Sequence, residues 1–233
     1  MMETTPTPSV RPLDREIADI KAHVRTMGDW ALQMVARGME ALADWDPAKV
    51  QQVVAMDDQL DAHDVDIEHE AVRLLVTRQP AARDARTLGA VLKVITYLDR
   101  VGRLGLDIAS YVRETKSKEH YPPWALLGMM SEQSQTMIRA ALDAFDKGDL
   151  EKAKAVYDAD DAVDELNRQV LKESLIGLQG DPPEPPQLVV YVLVSRHLER
   201  IADNACKIAE KTIYMETGHR RREFLTPQNK VAL

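Results

Sequence analysis

Carboxylates spaced four residues apart are the side chains in this sequence best suited to chemistry. "MDDQLD" at 56–61 carries Asp57, Asp58 and Asp61, and "ADDAVD" at 159–164 carries Asp160, Asp161 and Asp164. Downstream stand "LDRVGR" at 98–103, with Asp99 and Arg103, and "LERIAD" at 198–203, with Glu199 and Asp203. On a helix, residues at i and i+4 share one face, where two like charges cost roughly 0.2–0.5 kcal/mol. Two readings explain why such pairs are kept: a solvated face, given that 29% of the residues are charged, or a bound cation. Oxygen-only donors suit magnesium, calcium, manganese or iron, and admit zinc.

Six long helical segments must position these groups. The first runs from about Asp14 to Asp44, with Ile17, Ile20, Val24, Met27, Leu32, Val35 and Met39 mostly three or four apart. Asp46 then caps a second helix that has Pro47 in its first turn and continues to about Arg78. The third extends from "QPAARD" to about Lys116, the fourth from Trp124 to Phe145, the fifth from Leu150 to Leu178 and the sixth from Gln187 to Met215. The midpoint between the acidic motifs of helices two and three falls at Pro80, and that between the motifs of helices five and six at Asp181. Antiparallel hairpins turning there set both motifs of a pair at one height, about 8–10 Å apart across packed helices.

The chain also repeats itself. Leu98, Asp99, Arg100, Ile108 and Ala109 match Leu198, Glu199, Arg200, Ile208 and Ala209, and the two acidic stretches of helices two and five correspond as well. Self-similarity at about 100 residues predicts an all-α fold of two tandem antiparallel three-helix bundles, over 13–118 and 122–216. Residues 1–12 read as a disordered leader and 217–233 as a flexible basic tail containing "HRRR". The duplication exposes one asymmetry: Arg103 stands where the second repeat has Asp203. An arginine there can pair with Asp57, Asp61 or Asp99 and replace a cation internally. A metal is therefore expected at Asp160, Asp164, Glu199 and Asp203 more than at Asp57, Asp61 and Asp99.

Composition bounds the function. A hydrophobic fraction of 45% with only 5% aromatic residues describes helices packed by aliphatic side chains. A net charge of −8 argues against a nucleic-acid surface. A single cysteine, Cys206, suits a reducing cytoplasm and reads as a small packed residue. The longest apolar run, "LVVYVLV" at 188–194, is far short of a membrane span. Met34, Met39, Met129, Met130 and Met137 fall at apolar helix positions and are expected in the core. His63 and His69, six apart and so on different faces of a helix, are read as surface residues, and His197, whose counterpart in the first repeat is Tyr97, is not read as a duplicated ligand.

The stretches "MDDQLDAHDVDIE", "TRQPAARDARTLGAVLKVITYLDRVG" and "LERIADNACKIAEKTIYMETG" resemble the PhoU proteins, bacterial regulators of phosphate uptake, over about residues 14–218. The resemblance implies duplicated three-helix bundles carrying E/D-x-x-x-D motifs, at which some members bind iron or other metal clusters. It also implies a non-enzymatic role in the cytoplasm. Such a protein contacts the ATPase of the phosphate ABC transporter and the sensor histidine kinase of the Pho regulon, and damps both when phosphate is plentiful. It is usually a homodimer, peripheral to the membrane only through its partners. The family pattern "ERIGD" followed by Asn becomes "DRVGR" with Asp107 here in the first repeat, and "ERIAD" with Lys207 in the second.

Three rival readings compete. "DDQLD" and "DDAVD" both fit the DDxxD pattern by which helical enzymes hold magnesium on a prenyl diphosphate, although only two Phe are available to line an apolar cavity. A ferritin-like iron protein calls for paired Glu-x-x-His, a spacing met only by Glu216 and His219. The third is a metal-free scaffold.

Overall fold

A computed structural model of the chain describes residues 11–114, 120–180 and 185–219. Its six helices are α1 (Pro12–Asp44), α2 (Pro47–Arg78), α3 (Ala82–Ser110), α4 (Pro123–Lys147), α5 (Leu150–Gln179) and α6 (Pro185–Thr217). Helix α1 starts within the segment read as a leader, because Pro12 supplies the φ angle that a first helical turn needs. Residues 1–10 of that segment and the tail beyond His219 lie outside the described residues. Helix α3 stops six residues short of the expected Lys116 and tightens into a 3₁₀ turn over Tyr111–Arg113. There Val112 is buried and the Tyr111 hydroxyl lies 3.1 Å from His197 Nε2 on α6, so tertiary contact ends the regular winding.

The joints between the first and second helices of each repeat are built alike. At the end of α1, Trp45 takes the left-handed conformation (φ 48°), and the Asp46 side chain accepts from the Ala48 amide at 2.8 Å. In the second repeat Gly148 (φ 67°) makes the same turn, and Asp149 accepts from the Lys152 amide at 2.9 Å. Left-handed backbone favours glycine, and a buried Trp45 ring holds the first copy in place where glycine is absent.

Burial divides the helices into two kinds. The outer helices α2 and α5 bury narrow stripes seven residues apart: Val53, Leu60, Ile67 and Leu74 on one, Val156, Val163 and Val170 on the other. A seven-residue stripe is the seam of one-sided packing, which leaves the remaining face to charge. The central helices α3 and α6 bury broad faces, since each packs within its own bundle and also against the other. This contact joins the two three-helix bundles. Two methionine positions depart from the core reading: Met34, Met130 and Met137 are enclosed, Met39 is partly buried, and Met129 is 55% exposed.

Close helix contact depends on small residues at one crossing. A Cβ on Gly38 of α1 would lie 2.3 Å from the Gly105 carbonyl oxygen of α3, and a Cβ on Gly105 would lie 2.6 Å from the Val35 amide nitrogen. Ala141 and Ala205 hold the equivalent positions in the second repeat, both fully buried. The first bundle is thus closed backbone against backbone, which fixes the level at which α3 presents Asp99 and Arg103.

Candidate metal centre

In the first repeat, the buried Leu60 stripe turns Asp57 and Asp61 of α2 toward α3. There Arg103 gathers three carboxylates. Its Nε lies 3.0 and 3.2 Å from the two Asp99 oxygens, its Nη2 2.7 Å from Asp61 Oδ1 and its Nη1 3.3 Å from Asp57 Oδ2. Asp99 and then Asp57 hold its protonation above the ordinary arginine range. Burial pushes the Asp57 carboxyl above the usual aspartate range, although Arg103 opposes it, and Asp57 Oδ1 is enclosed without a hydrogen-bond partner. Asp64 completes the group, its carboxyl raised by burial and by the field of Asp99.

The second repeat has the same scaffold without the arginine. Asp160 and Asp164 on α5 face Glu199 and Asp203 on α6; burial raises the Asp160 carboxyl first, and the charges of Asp164 and Asp203 raise it further. Glu199 is raised by burial and by Asp203 and Asp164, against Arg196. Arg196 Nη1 stands 3.1 Å from Glu199 Oε2, within ion-pair distance but off the line of a hydrogen bond, so that enclosed oxygen has no donor aimed at it. The seventh-residue partner of Asp160 is Asn167, whose Oδ1 accepts from Ser195 Oγ at 2.8 Å. A neutral amide thus replaces the Asp64 charge of the first repeat.

These two arrangements differ in what they can accept. Around Arg103 the negative charge is already answered by a delocalised cation bound through several nitrogens, and that centre does not fit a metal ion. In the second repeat the donors are carboxylate oxygens only, two of them on residues whose protonation is already favoured by crowding, and one oxygen is orphaned. Hard divalent or ferric cations match that donor set. No three acidic, histidine or cysteine side chains converge to a metal-binding geometry among the described residues.

Crowding of this kind has a pH signature. A carboxyl raised in the folded state costs nothing below the ordinary carboxylate range; its penalty grows as pH rises through that range and is fully present above the raised value. Glu199→Gln is therefore expected to stabilise the metal-free protein by roughly 0.5 kcal/mol at pH 7, with the advantage gone near pH 4. Urea unfolding of both proteins at the two pH values measures it, and equal gains at both would contradict the argument.

Other residues singled out from the sequence stand apart. Asp58 and Asp161, which complete the DDxxD patterns, are exposed and outside both groups. His69 is exposed, His63 lies 6.3 Å ring to ring from Trp30, and the half-buried His197 meets Tyr111. Burial pushes the His197 imidazole below its ordinary range. Two participants were missed. Asp64 is seven residues from Asp57 on the same face, a spacing visible in the sequence. Cys206 hydrogen-bonds the Asp160 side chain, which opposes its raised pKa; its place three residues after Asp203 was the available signal.

Comparison with known proteins follows the duplicated geometry. The family described as PhoU domain matches residues 24–112 and again 127–212. The chain belongs to the PhoU family. A PhoU homolog of Caulobacter vibrioides is 34% identical over 223 residues, covering 94% of each chain. One from Clostridium acetobutylicum is 30% identical over 206 residues, covering 88% of this chain and 94% of the relative. Both are described as phosphate-specific transport system accessory proteins. The crystal structure of PhoU from Pseudomonas aeruginosa superposes with a TM-score of 0.79 at 31% identity, over 88% of this chain and 99% of that one. PhoU proteins are regulatory accessory proteins and not enzymes, which sets aside the prenyl-diphosphate reading.

Proposed function

We propose that this chain regulates phosphate uptake and phosphate-starvation signalling in the cytoplasm. It acts by protein–protein contact with the ATPase of the phosphate ABC transporter and with the phosphate sensor histidine kinase, damping both when phosphate is plentiful. The observation that carries the reading is the pair of PhoU repeats matched over most of the chain, together with relatives described as accessory proteins of phosphate-specific transport. Surface chemistry supports it. Leu171, Leu175 and Ile176 of α5 and Val189 and Leu193 of α6 are exposed on the same hairpin, where Gly177 packs on Leu188, and clustered exposed apolar side chains mark interaction surfaces. No described helix is long and apolar enough to cross a membrane.

Regulation through the second repeat's carboxylates is part of the proposal: a divalent or ferric ion held by Asp160, Asp164, Glu199 and Asp203 would lock α5 to α6 below that apolar surface. The active form is a homodimer. Affinity capture with the full chain, at high and low phosphate, is expected to recover the transporter ATPase or the histidine kinase. Recovery of neither under both conditions would refute the reading.

A further inference from the structure

Helices α3 and α6 frame a second, open feature that includes none of these carboxylates. Near the N-terminal end of α3 and the C-terminal end of α6 lies a cavity of about 430 Å³ with a floor of small residues, Ala85 and Gly89 among them. Its polar lining is Arg86, Lys93, Lys211 and Tyr214, and no residue lining it is acidic. In a chain of net charge −8 this is a local reversal of sign. Neither lysine has a carboxylate within ion-pair distance among the described residues. Arg86 is held by one bond only, its Nε donating to the Met215 carbonyl at 3.2 Å. Glu216, two residues beyond Tyr214, is taken by Arg83, whose Nη2 reaches its two oxygens at 2.9 and 2.7 Å. Glu210, beside Lys211 in the chain, does not line the cavity.

The duplication shows that the fold does not require this chemistry. At the equivalent positions of the other half, Pro186, Val189, Leu193, Tyr111 and Glu114 replace Arg86, Gly89, Lys93, Lys211 and Tyr214. The same helices thus pack in the other half without a basic residue at any of these five positions. Three cations brought together with no acid among the lining residues repel one another, and an anion relieves that repulsion. An arginine fork, two ammonium groups and a phenol offer the donors that a tetrahedral oxyanion accepts, and the missing side chain of Gly89 leaves it room.

We propose that the cavity framed by Arg86, Lys93, Lys211 and Tyr214 binds a phosphate-type oxyanion. The ion is either free phosphate or the headgroup of an anionic lipid. The assignment is separate from the regulatory reading and is tested by direct binding. A Cβ on Gly89 meets nothing within 4 Å, so Gly89→Glu places a carboxylate in the cavity without disturbing the helix or its neighbours. Equilibrium dialysis of the full chain against radiolabelled inorganic phosphate at low ionic strength is expected to saturate at one ion per chain. Gly89→Glu should abolish the binding, and Lys93→Gln with Lys211→Gln should weaken it at least tenfold, with unchanged circular dichroism and melting no lower than the parent's. In a second arm, the chain is sedimented with phosphatidylcholine vesicles containing phosphatidylglycerol. Binding there but not to phosphate, lost in Gly89→Glu, assigns the cavity to a headgroup. Binding in neither arm, or binding that both variants retain, overturns the proposal.

Discussion

Gly105→Val is expected to destabilise the protein by about 3 kcal/mol or more, or to prevent folding of the first bundle altogether. The valine Cβ would fall 2.6 Å from the Val35 nitrogen, 2.7 Å from the Met34 carbonyl carbon and 2.9 Å from its oxygen. All three are backbone atoms of a helix, which cannot rotate aside as a side chain does. Helices α1 and α3 must separate, and Met34, Val35 and Ile108, all fully buried, lose contacts along the seam. Two controls separate this mechanism from a general intolerance of glycine replacement. At Gly102 the nearest obstacle is the end of the Leu60 side chain, which can move, so Gly102→Ala should cost much less. At Gly89 the space is open, and Gly89→Ala should gain about 0.5–1 kcal/mol from helix propensity. Denaturant unfolding ranks the three; a Gly105→Val protein within 1 kcal/mol of the parent would show that the crossing is looser than its geometry.

Much of the architecture was legible because its causes are local. Asp46 before Pro47 starts a helix by capping chemistry, and the seven-residue stripe of Val53, Leu60, Ile67 and Leu74 marks an outer helix with one buried edge. The common level of the acidic motifs followed from hairpin register, and Leu60 against Gly102 and Asp61 against Arg103 lie at that register in the structure. What was not legible depends on packing between repeats. Met129 carries the hydropathy of a core residue, but it lies on the solvent side of α4, 55% exposed. The end of α3 is set by Tyr111 reaching His197 across the joint between bundles. Arg86 and Lys211 are separated by more than a hundred residues and belong to different repeats, so no spacing within either one announces the basic cavity. Arg103 was legible in a different way: only the comparison of copies shows that an arginine occupies a carboxylate position.

Arg103→Asp makes that comparison an experiment. It gives the first repeat the carboxylate found at position 203 of the second and removes the guanidinium that now bridges Asp57, Asp61 and Asp99. Arg103 and Asp61 are each about half exposed, 48% and 52%, so the individual ion pairs contribute little. The larger effect comes from the carboxylates left facing one another, with Asp57 and Asp64 already raised by burial. The metal-free variant is expected to lose about 1–2 kcal/mol at low ionic strength and to recover part of it in salt, as like charges are screened. Manganese or magnesium should then stabilise the variant more than the parent and raise the bound metal by one ion per chain, measured by elemental analysis after gel filtration. Glu199→Ala with Asp203→Ala, in the parent background, should remove the ion held by the second repeat. Equal metal content in parent, Arg103→Asp and the double variant would mean that neither set of carboxylates is a cation site, and that the acidic faces are solvated surface.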